Sequence, residues 1–219
     1  MISEIEFIQC GTGTSAGIPV IGCDCDVCTS PDPRDTRTRC GACLRFVDRE
    51  GKKRVVLIDC PPDHRQHSLT HGIDRCDLII LTHDHVDHVF GLDEVRRYNA
   101  LHNIPIELRA DESTLESLYR MFKHIFRKQE NLNVSFVADI TPRPLQPFEP
   151  IDRFGLRFTP LPILHGRQPI LGFRIDALDD SGEIADEQPK PFPLAYLTDC
   201  SAIPPSTWPH LNGLNTLFL

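Results

Sequence analysis

The chain has 219 residues, of which 40% are hydrophobic and 25% charged, and its formal net charge is −8. That length is ample for one two-layered hydrophobic core, and the composition is ordinary for a folded domain. The acidic balance argues against broad binding to nucleic acid or an anionic membrane surface, both of which require a basic face. No amino-terminal signal peptide is visible, and no apolar run approaches the ~20 residues of a membrane-spanning helix. A single domain over residues 1–219 in the cytoplasm, where disulfides are rare, is therefore expected.

In chain order, a strand is predicted over residues 5–10, followed by Gly11-Thr12-Gly13-Thr14-Ser15-Ala16-Gly17-Ile18-Pro19. Glycines let a ligand approach the backbone closely. Successive N–H groups, with the Thr14 and Ser15 hydroxyls, can cradle a phosphate; a plain turn between strands explains the same residues. The loop is neither a dinucleotide fingerprint nor a Walker loop, because the lysine and the spacings are absent.

A cysteine-rich loop follows, at about 22–43. Cys23-x-Cys25-x-x-Cys28 is compact, and three thiolates at that spacing can wrap one tetrahedral Zn²⁺. Cys40 and Cys43 offer alternative donors, and reduced, metal-free thiols are the other reading. Cys10, Cys60, Cys76 and Cys200 read as small apolar packing residues. Arg34, Arg37 and Arg39 follow the compact cysteines; there a phosphate contact, with Arg39 as the candidate, competes with a simple solvated surface.

Strands are next predicted over 44–48 and 54–58, the second running into Asp59, and a helix over 62–70. The apolar run Leu78-Ile79-Ile80-Leu81 reads as a short buried strand. It leads directly into Thr82-His83-Asp84-His85-Val86-Asp87-His88. His83 and His85 are two apart and face the same side of an extended backbone. Asp87 and His88 come after the chain turns and can address a second point nearby. Neutral imidazole and carboxylate suit divalent ions such as Zn, Fe, Ni and Mn. Two such ions roughly 3.5–4 Å apart can share a water and clamp the oxygens of a transferring phosphoryl group. One H-x-H among ten histidines would be unsurprising in a surface loop; a full H-x-H-x-D-H behind an apolar strand is much rarer.

Farther on, helices are predicted over 91–101 and 112–127, and strands over 106–109, 134–137, 154–160, 170–176, 194–198 and 215–219. Leu115, Leu118, Phe122, Ile125 and Phe126 give the second helix an apolar face. The proline-rich stretch 142–150 reads as a connector, and 176–193 as an acidic hairpin excursion. His165 and Asp199 each follow an apolar strand. His210 reads as a surface residue.

The H-x-H-x-D-H run at 83–88 resembles the signature of the metallo-β-lactamase superfamily. That resemblance implies an α/β fold, the αββα sandwich: two mixed sheets packed face to face and flanked by helices, with metals at one edge. It assigns His83, His85 and His165 to a first metal and Asp87 and His88 to a second. Asp199 would bridge the two metals, and Asp59 would orient the ligand loop from behind. The ordered set formed by the glycine loop, the cysteines, Ile58-Asp59, His165 to Arg174 and Tyr196-Leu197-Thr198-Asp199 looks like the PhnP-type phosphodiesterases.

This second resemblance implies opening of small cyclic phosphodiesters, of the 2′,3′-cyclic nucleotide or cyclic ribose phosphate type, by a metal-bridging hydroxide. Asp87, Asp199 and Asp59 are then the catalytic candidates. It further implies two Zn or Mn ions in the active site and one structural zinc on Cys23, Cys25 and Cys28. Its partners would be a small phosphodiester and no membrane, and since relatives often pair, it admits a homodimer. Relatives continue into a histidine-containing tail that completes the second metal, the cysteine site and proton donation to the leaving oxygen. Residues 1–219 are expected to lack that part and to act weakly. Other chemistries fit the same metals: a tRNA 3′-processing endonuclease, a thioester or lactone hydrolase, or a non-catalytic metal-binding domain.

Overall fold

The structure is a computed structural model that describes residues 2–132 and 136–219. Two mixed sheets make up its frame. In the first lie β1 (Ser3–Gly11), β2 (Gly41–Val47), β3 (Lys53–Ile58), β4 (Leu78–Ile80), β5 (Ile106–Ala110) and β6 (Ile140–Pro144), in that spatial order. β1, β2 and β3 pair antiparallel, and β3 to β6 pair parallel. The second sheet holds β7 (Ile151–Arg153), β8 (Leu156–His165), β9 (Gln168–Ala177), β10 (Leu194–Tyr196) and β11 (Thr216–Phe218), ordered β11-β10-β9-β8-β7. Only β10 and β11 pair parallel in it.

The central strands of the first sheet are apolar on both faces because both faces are covered. Side chains alternate across a strand. Leu44, Val56, Ile58, Leu78 and Ile80 therefore face the second sheet and meet Phe158, Leu171, Phe173, Ile175 and Tyr196. The intervening Cys43, Val55, Leu57, Ile79 and Leu108 face outward, against Ile73, Val89, Leu92, Leu115, Leu118 and Ile125. Those outer partners come from the helical layer: α1 (His64–His71), α2 (Val86–Val89), α3 (Arg96–His102), α4 (Glu112–Met121) and α5 (Lys123–Phe126), with the segments between them. Asp111 starts α4 by accepting the Thr114 N–H at 2.7 Å, satisfying one of the free donors of the first turn. The outer face of the second sheet, with Leu161, Ile163, Ala195 and Leu197, is covered by Phe148, Ile203, Leu211 and Leu214 from loops. Among the described residues its one helical element there is the 3₁₀ turn Trp208–Leu211, so the α-helices flank the first sheet.

Several sequence expectations shift. The helix expected over 112–127 divides at Phe122, whose side chain is buried in the helical layer. Of the helix expected over 91–101, residues 91–95 form turns and the helix itself is α3, which starts at Arg96; the separate short helix α2 lies before that range. The stretch 142–150, read as a connector, begins as strand β6; Pro142 and Pro144 are tolerated there because β6 is an edge strand with a row of ladder positions left free. The strand expected over 134–137 falls partly outside the described residues, and Phe136 and Val137 carry no strand. No helix among the described residues is long and apolar enough to cross a membrane.

Candidate metal centre

Four strands deliver the polar residues to one edge of the sandwich. β3 runs into Asp59, β4 into His83, β8 ends on His165, and β10 runs through Thr198 into Asp199. Asp59 and Asp199 both take left-handed backbone angles, φ 63° and 56°. Aspartate tolerates that region better than most residues, and such outliers concentrate at functional sites.

The buried Asp59 carboxylate organises the cluster. It accepts the Thr82 N–H at 2.8 Å, the Thr82 hydroxyl at 2.9 Å and the His88 Nδ1–H at 2.7 Å. Because the Thr82 hydroxyl donates to Asp59, its oxygen is left to accept from His83 Nδ1, 2.9 Å away. One carboxylate thereby orients two imidazoles, engaging each Nδ1 and turning each Nε2 into the cluster, where it becomes a ligand atom once any proton on it is displaced. Both of those atoms, His83 Nε2 and His88 Nε2, are buried and have no hydrogen-bond partner among the described residues. Buried polar atoms are rarely left so.

The Asp199 Oδ2 atom lies 3.8 Å from His83 Nε2, 3.3 Å from His88 Nε2 and 3.8 Å from His165 Nε2. Asp87 Oδ2 is 3.4 Å from His88 Nε2. The rings of His83 and His85 are 4.5 Å apart, and those of His85 and His165 are 5.1 Å apart. The ligand atoms fall into two groups, His83, His85, His165 and Asp199 in one and Asp87, His88 and Asp199 in the other. Within each group every atom is within 4.8 Å of the others. Asp199 belongs to both. Imidazole and carboxylate ligand atoms converging in two such groups fit divalent ions.

The electrostatics point the same way. Burial, reinforced by His88, pulls the His83 pKa down to about 4, so its lone pair is free at neutral pH. The contact with His88 holds the Asp199 carboxyl at about 2, against the opposing effect of burial. Burial also disfavours a charged His88, yet Asp59 and Asp199 outweigh it and push its pKa up to about 11. Asp59, Asp87 and Asp199 thus gather negative potential around the imidazoles.

A cavity of about 300 Å³ opens beside Asp199, lined among others by Gln9, Thr14, Cys40, Tyr196, Thr198 and Phe218. Of the expected substrate contacts, Thr14 lines it; Ser15 is exposed and does not. Arg39 is tied to the Asp63 carboxylate, by its guanidinium at 3.1 Å and by its backbone N–H at 2.8 Å. The glycines have a backbone reason. A Cβ on Gly11 would stand 2.0 Å from the Arg39 carbonyl oxygen, and one on Gly13 would stand 2.7 Å from that of Arg37. The loop thus packs directly on residues 37–39. Arg34 is paired with Asp32.

Cys23, Cys25 and Cys28 bring their sulfurs together at the surface, within 4.8 Å of one another. Backbone N–H donation from Cys28 lowers the Cys25 thiol to about 7, which favours the thiolate that a metal requires. Cys40 and Cys43 do not join them, contrary to the alternative drawn from the sequence. Cys40 Sγ contacts the Thr198 and Tyr196 hydroxyls at 3.0 and 3.2 Å, and Cys43 is buried in the core. They lie on and just before β2, whose pleat turns Cys43 into the helical layer. His210 stacks on Phe148, with ring centroids 4.9 Å apart. Sequence reasoning missed Thr82, Gln9 and Tyr196. A threonine joining a buried strand to a histidine motif was the available signal for the first; the other two become visible only when the sheets are assembled.

A family described as "Beta-lactamase superfamily domain" matches residues 54–219. Over 184 residues, 83% of the chain, the sequence is 39% identical to an octanoyltransferase of Porphyromonas gingivalis, of which it covers 36%. A shorter stretch of 68 residues is 38% identical to the anti-Pycsar protein Apyc1 of Bacillus phage 010DV004, covering 29% of this chain and 26% of that protein. The chain thus spans about a third or less of the curated relatives it matches. Among solved structures, a diphosphatase from the PhnP family aligns with all of this chain and 74% of its own, at 35% identity and a TM-score of 0.80. Zn²⁺-bound PqqB from Methylobacterium extorquens shares the fold, with a TM-score of 0.68 at 21% identity over 99% of this chain and 69% of its own. With its family match, its two mixed sheets and its likeness to the PhnP-family diphosphatase, the chain belongs to the metallo-β-lactamase superfamily, whose members are metal-dependent hydrolases.

Proposed function

We propose that this chain is a metal-dependent phosphodiesterase acting on small cyclic phosphodiesters, of the 2′,3′-cyclic nucleotide or cyclic ribose phosphate type. The observation that carries the reading is the pair of buried, unpartnered atoms His83 Nε2 and His88 Nε2 on either side of Asp199. His83, His85, His165 and Asp199 would hold one divalent ion, Zn or Mn, and Asp87, His88 and Asp199 a second. When bound, the two ions supply Lewis-acid polarisation of the phosphoryl oxygens and an acidified water.

The protein's own part is positioning. Asp199 stays deprotonated and shared between the two ligand sets. Asp59 and Thr82 hold His88 and His83 with their Nε2 atoms turned inward. The cavity beside Asp199 would take the substrate, with Thr14 and Thr198 in its polar lining and Tyr196 and Phe218 as aromatic walls for a base. Cys23, Cys25 and Cys28 would hold a structural zinc through their thiolates. We further place the chain in the cytoplasm, where its nine free thiols remain reduced.

A second reading has support of its own. The solved relative at 35% identity is a diphosphatase, so hydrolysis of a phosphoanhydride at the same cluster is the leading alternative. Steady-state assays of 2′,3′-cyclic AMP beside a dinucleoside diphosphate, on metal-loaded protein, separate the two. Cyclic nucleotide turnover that disappears in His83→Ala supports the proposal. Turnover of the diphosphate alone, or cyclic nucleotide turnover that His83→Ala leaves at the parent rate, overturns it.

A further inference from the structure

A second polar cleft lies at the opposite end of the parallel strands. Asp77 precedes β4, Pro105 precedes β5 and Thr141 stands near the start of β6, whereas His83 to His88 follow the far end of β4. The cleft measures about 420 Å³, within the range of small-molecule sites. Its lining includes the four arginines Arg54, Arg75, Arg143 and Arg153, against two carboxylates, Asp77 and Glu107.

Both carboxylates are already committed. Asp77 accepts from Arg54 at 3.2 Å, from Arg75 at 2.7 Å and from the Val55 N–H at 2.9 Å. Glu107 accepts from Arg109 and, at 2.9 Å, from Arg153. Asp48, behind the cleft, takes Arg54 Nε at 2.7 Å. Within the lining itself guanidiniums outnumber carboxylates by two, in a chain whose formal charge is −8; Asp48, Asp74 and Asp152 act on Arg54, Arg75 and Arg153 from outside it.

Arg143 holds much of that excess. It is exposed, and its side chain makes no hydrogen bond or ion pair among the described residues. Its cross-strand neighbour on β5 is Arg109, so two arginines occupy opposed positions on one face of the sheet, and Glu107 neutralises only Arg109 of that pair. Like charges so placed weaken a sheet, and an anion beside them removes the penalty. The outer guanidinium nitrogens Arg54 Nη2 and Arg75 Nη1, and the Thr141 hydroxyl, have no partner among the described residues either. Ile104, Pro105 and Phe154 add apolar wall. Guanidinium forks with free edges suit phosphate oxygens, and the enclosed volume beside apolar side chains suits a compact organic phosphate. A long polyanion would meet the acidic remainder of the chain.

We propose that this cleft is a second binding site, separate from the metal cluster, for a small phosphate monoester such as a nucleoside monophosphate. The test is isothermal titration of metal-loaded protein with adenosine 5′-monophosphate, repeated on His83→Ala stripped of metal by a chelator so that the metal cluster contributes no competing site. Binding should survive in His83→Ala, weaken with added salt and yield to competing inorganic phosphate. It should fall about tenfold or more in Arg143→Glu and persist in Arg143→Lys. Arg143 is exposed, so an unchanged unfolding temperature of Arg143→Glu confirms that the loss is local. Undiminished binding by Arg143→Glu overturns the proposal, as does loss of binding in His83→Ala. Binding of a single-stranded RNA of about twelve nucleotides, with none of the monophosphate, would make the cleft a nucleic-acid contact and overturn it also.

Discussion

Asp59 and His88 come from positions 29 residues apart and meet at 2.7 Å in the buried floor of the metal cluster, both side chains fully shielded from solvent. The contact settles which nitrogen of His88 is free, and it ties the end of β3 to the turn of α2. It also draws Thr82, and through Thr82 the imidazole of His83, into one hydrogen-bonded unit. The geometry of both ligand groups therefore depends on a residue that would itself touch no metal.

Asp59→Asn tests that dependence. Asparagine tolerates the left-handed backbone angle at this position, but its amide has one acceptor oxygen to serve both Thr82 and His88. Metal affinity is expected to fall about 10- to 100-fold, read by competition with a chromogenic chelator. Unchanged affinity would show that the buried carboxylate has no part in orienting the ligands.

Thr82→Val removes one hydroxyl at nearly constant shape. The variant leaves His83 Nδ1 buried without its acceptor, at a cost of roughly 1–3 kcal/mol. Chemical denaturation should report that loss, and the chelator assay should report weaker metal binding. A variant as stable and as avid as the parent would contradict the relay from Asp59 through Thr82 to His83.

Gly91 follows α2 and lies against the loop that leaves β3. A Cβ there would stand 2.2 Å from the Pro61 carbonyl oxygen and 2.6 Å from His64 Cβ. Gly91→Ala must push these segments apart, and overpacking of this kind costs about 1–3 kcal/mol. The unfolding temperature should drop by several degrees, at about 2–4 °C per kcal/mol for a chain of this size. Metal affinity should fall with it, because α2 carries Asp87 and His88.

His64 and His67, like His83, lower stability in acid. Burial pulls each pKa down to about 4, with a smaller push from His67 on His64. An unfolded histidine titrates near 6.5. Between those values the unfolded chain binds protons that the folded chain refuses, so stability falls as the pH drops through that window. Each histidine contributes a slope of up to roughly 1.4 kcal/mol per pH unit. Urea midpoints at about pH 7.5 and pH 5 should show the decline, and His64→Gln or His67→Gln should reduce it. Equal midpoints would contradict the burial of neutral imidazoles.

Much of this arrangement was legible from residue order, because the elements that build the cluster are short and strongly patterned. The run Leu78–Leu81 is apolar at every position, which a strand covered on both faces demands, and the histidines stand directly beyond it. His165 and Asp199 likewise follow strands that alternate inward and outward. What could not be read are features created by partners distant in sequence. Pro142 and Pro144 look like a connector until the sheet order places them on an edge strand. Cys40 looks like a zinc donor until β2 turns it towards Tyr196 and Thr198. Arg39 looks free to meet a phosphate until Asp63, 24 residues away, takes its guanidinium.

The central claim is that the histidines and aspartates at the sheet edge hold two divalent ions. Crystals of the protein grown with Mn²⁺ or Zn²⁺, with diffraction recorded at the metal's absorption edge, test it most directly. Two anomalous peaks are predicted, one enclosed by His83, His85, His165 and Asp199 and one by Asp87, His88 and Asp199. Both should vanish in His83→Ala/Asp199→Asn. Peaks confined to Cys23, Cys25 and Cys28, with none at the sheet edge, would contradict the account.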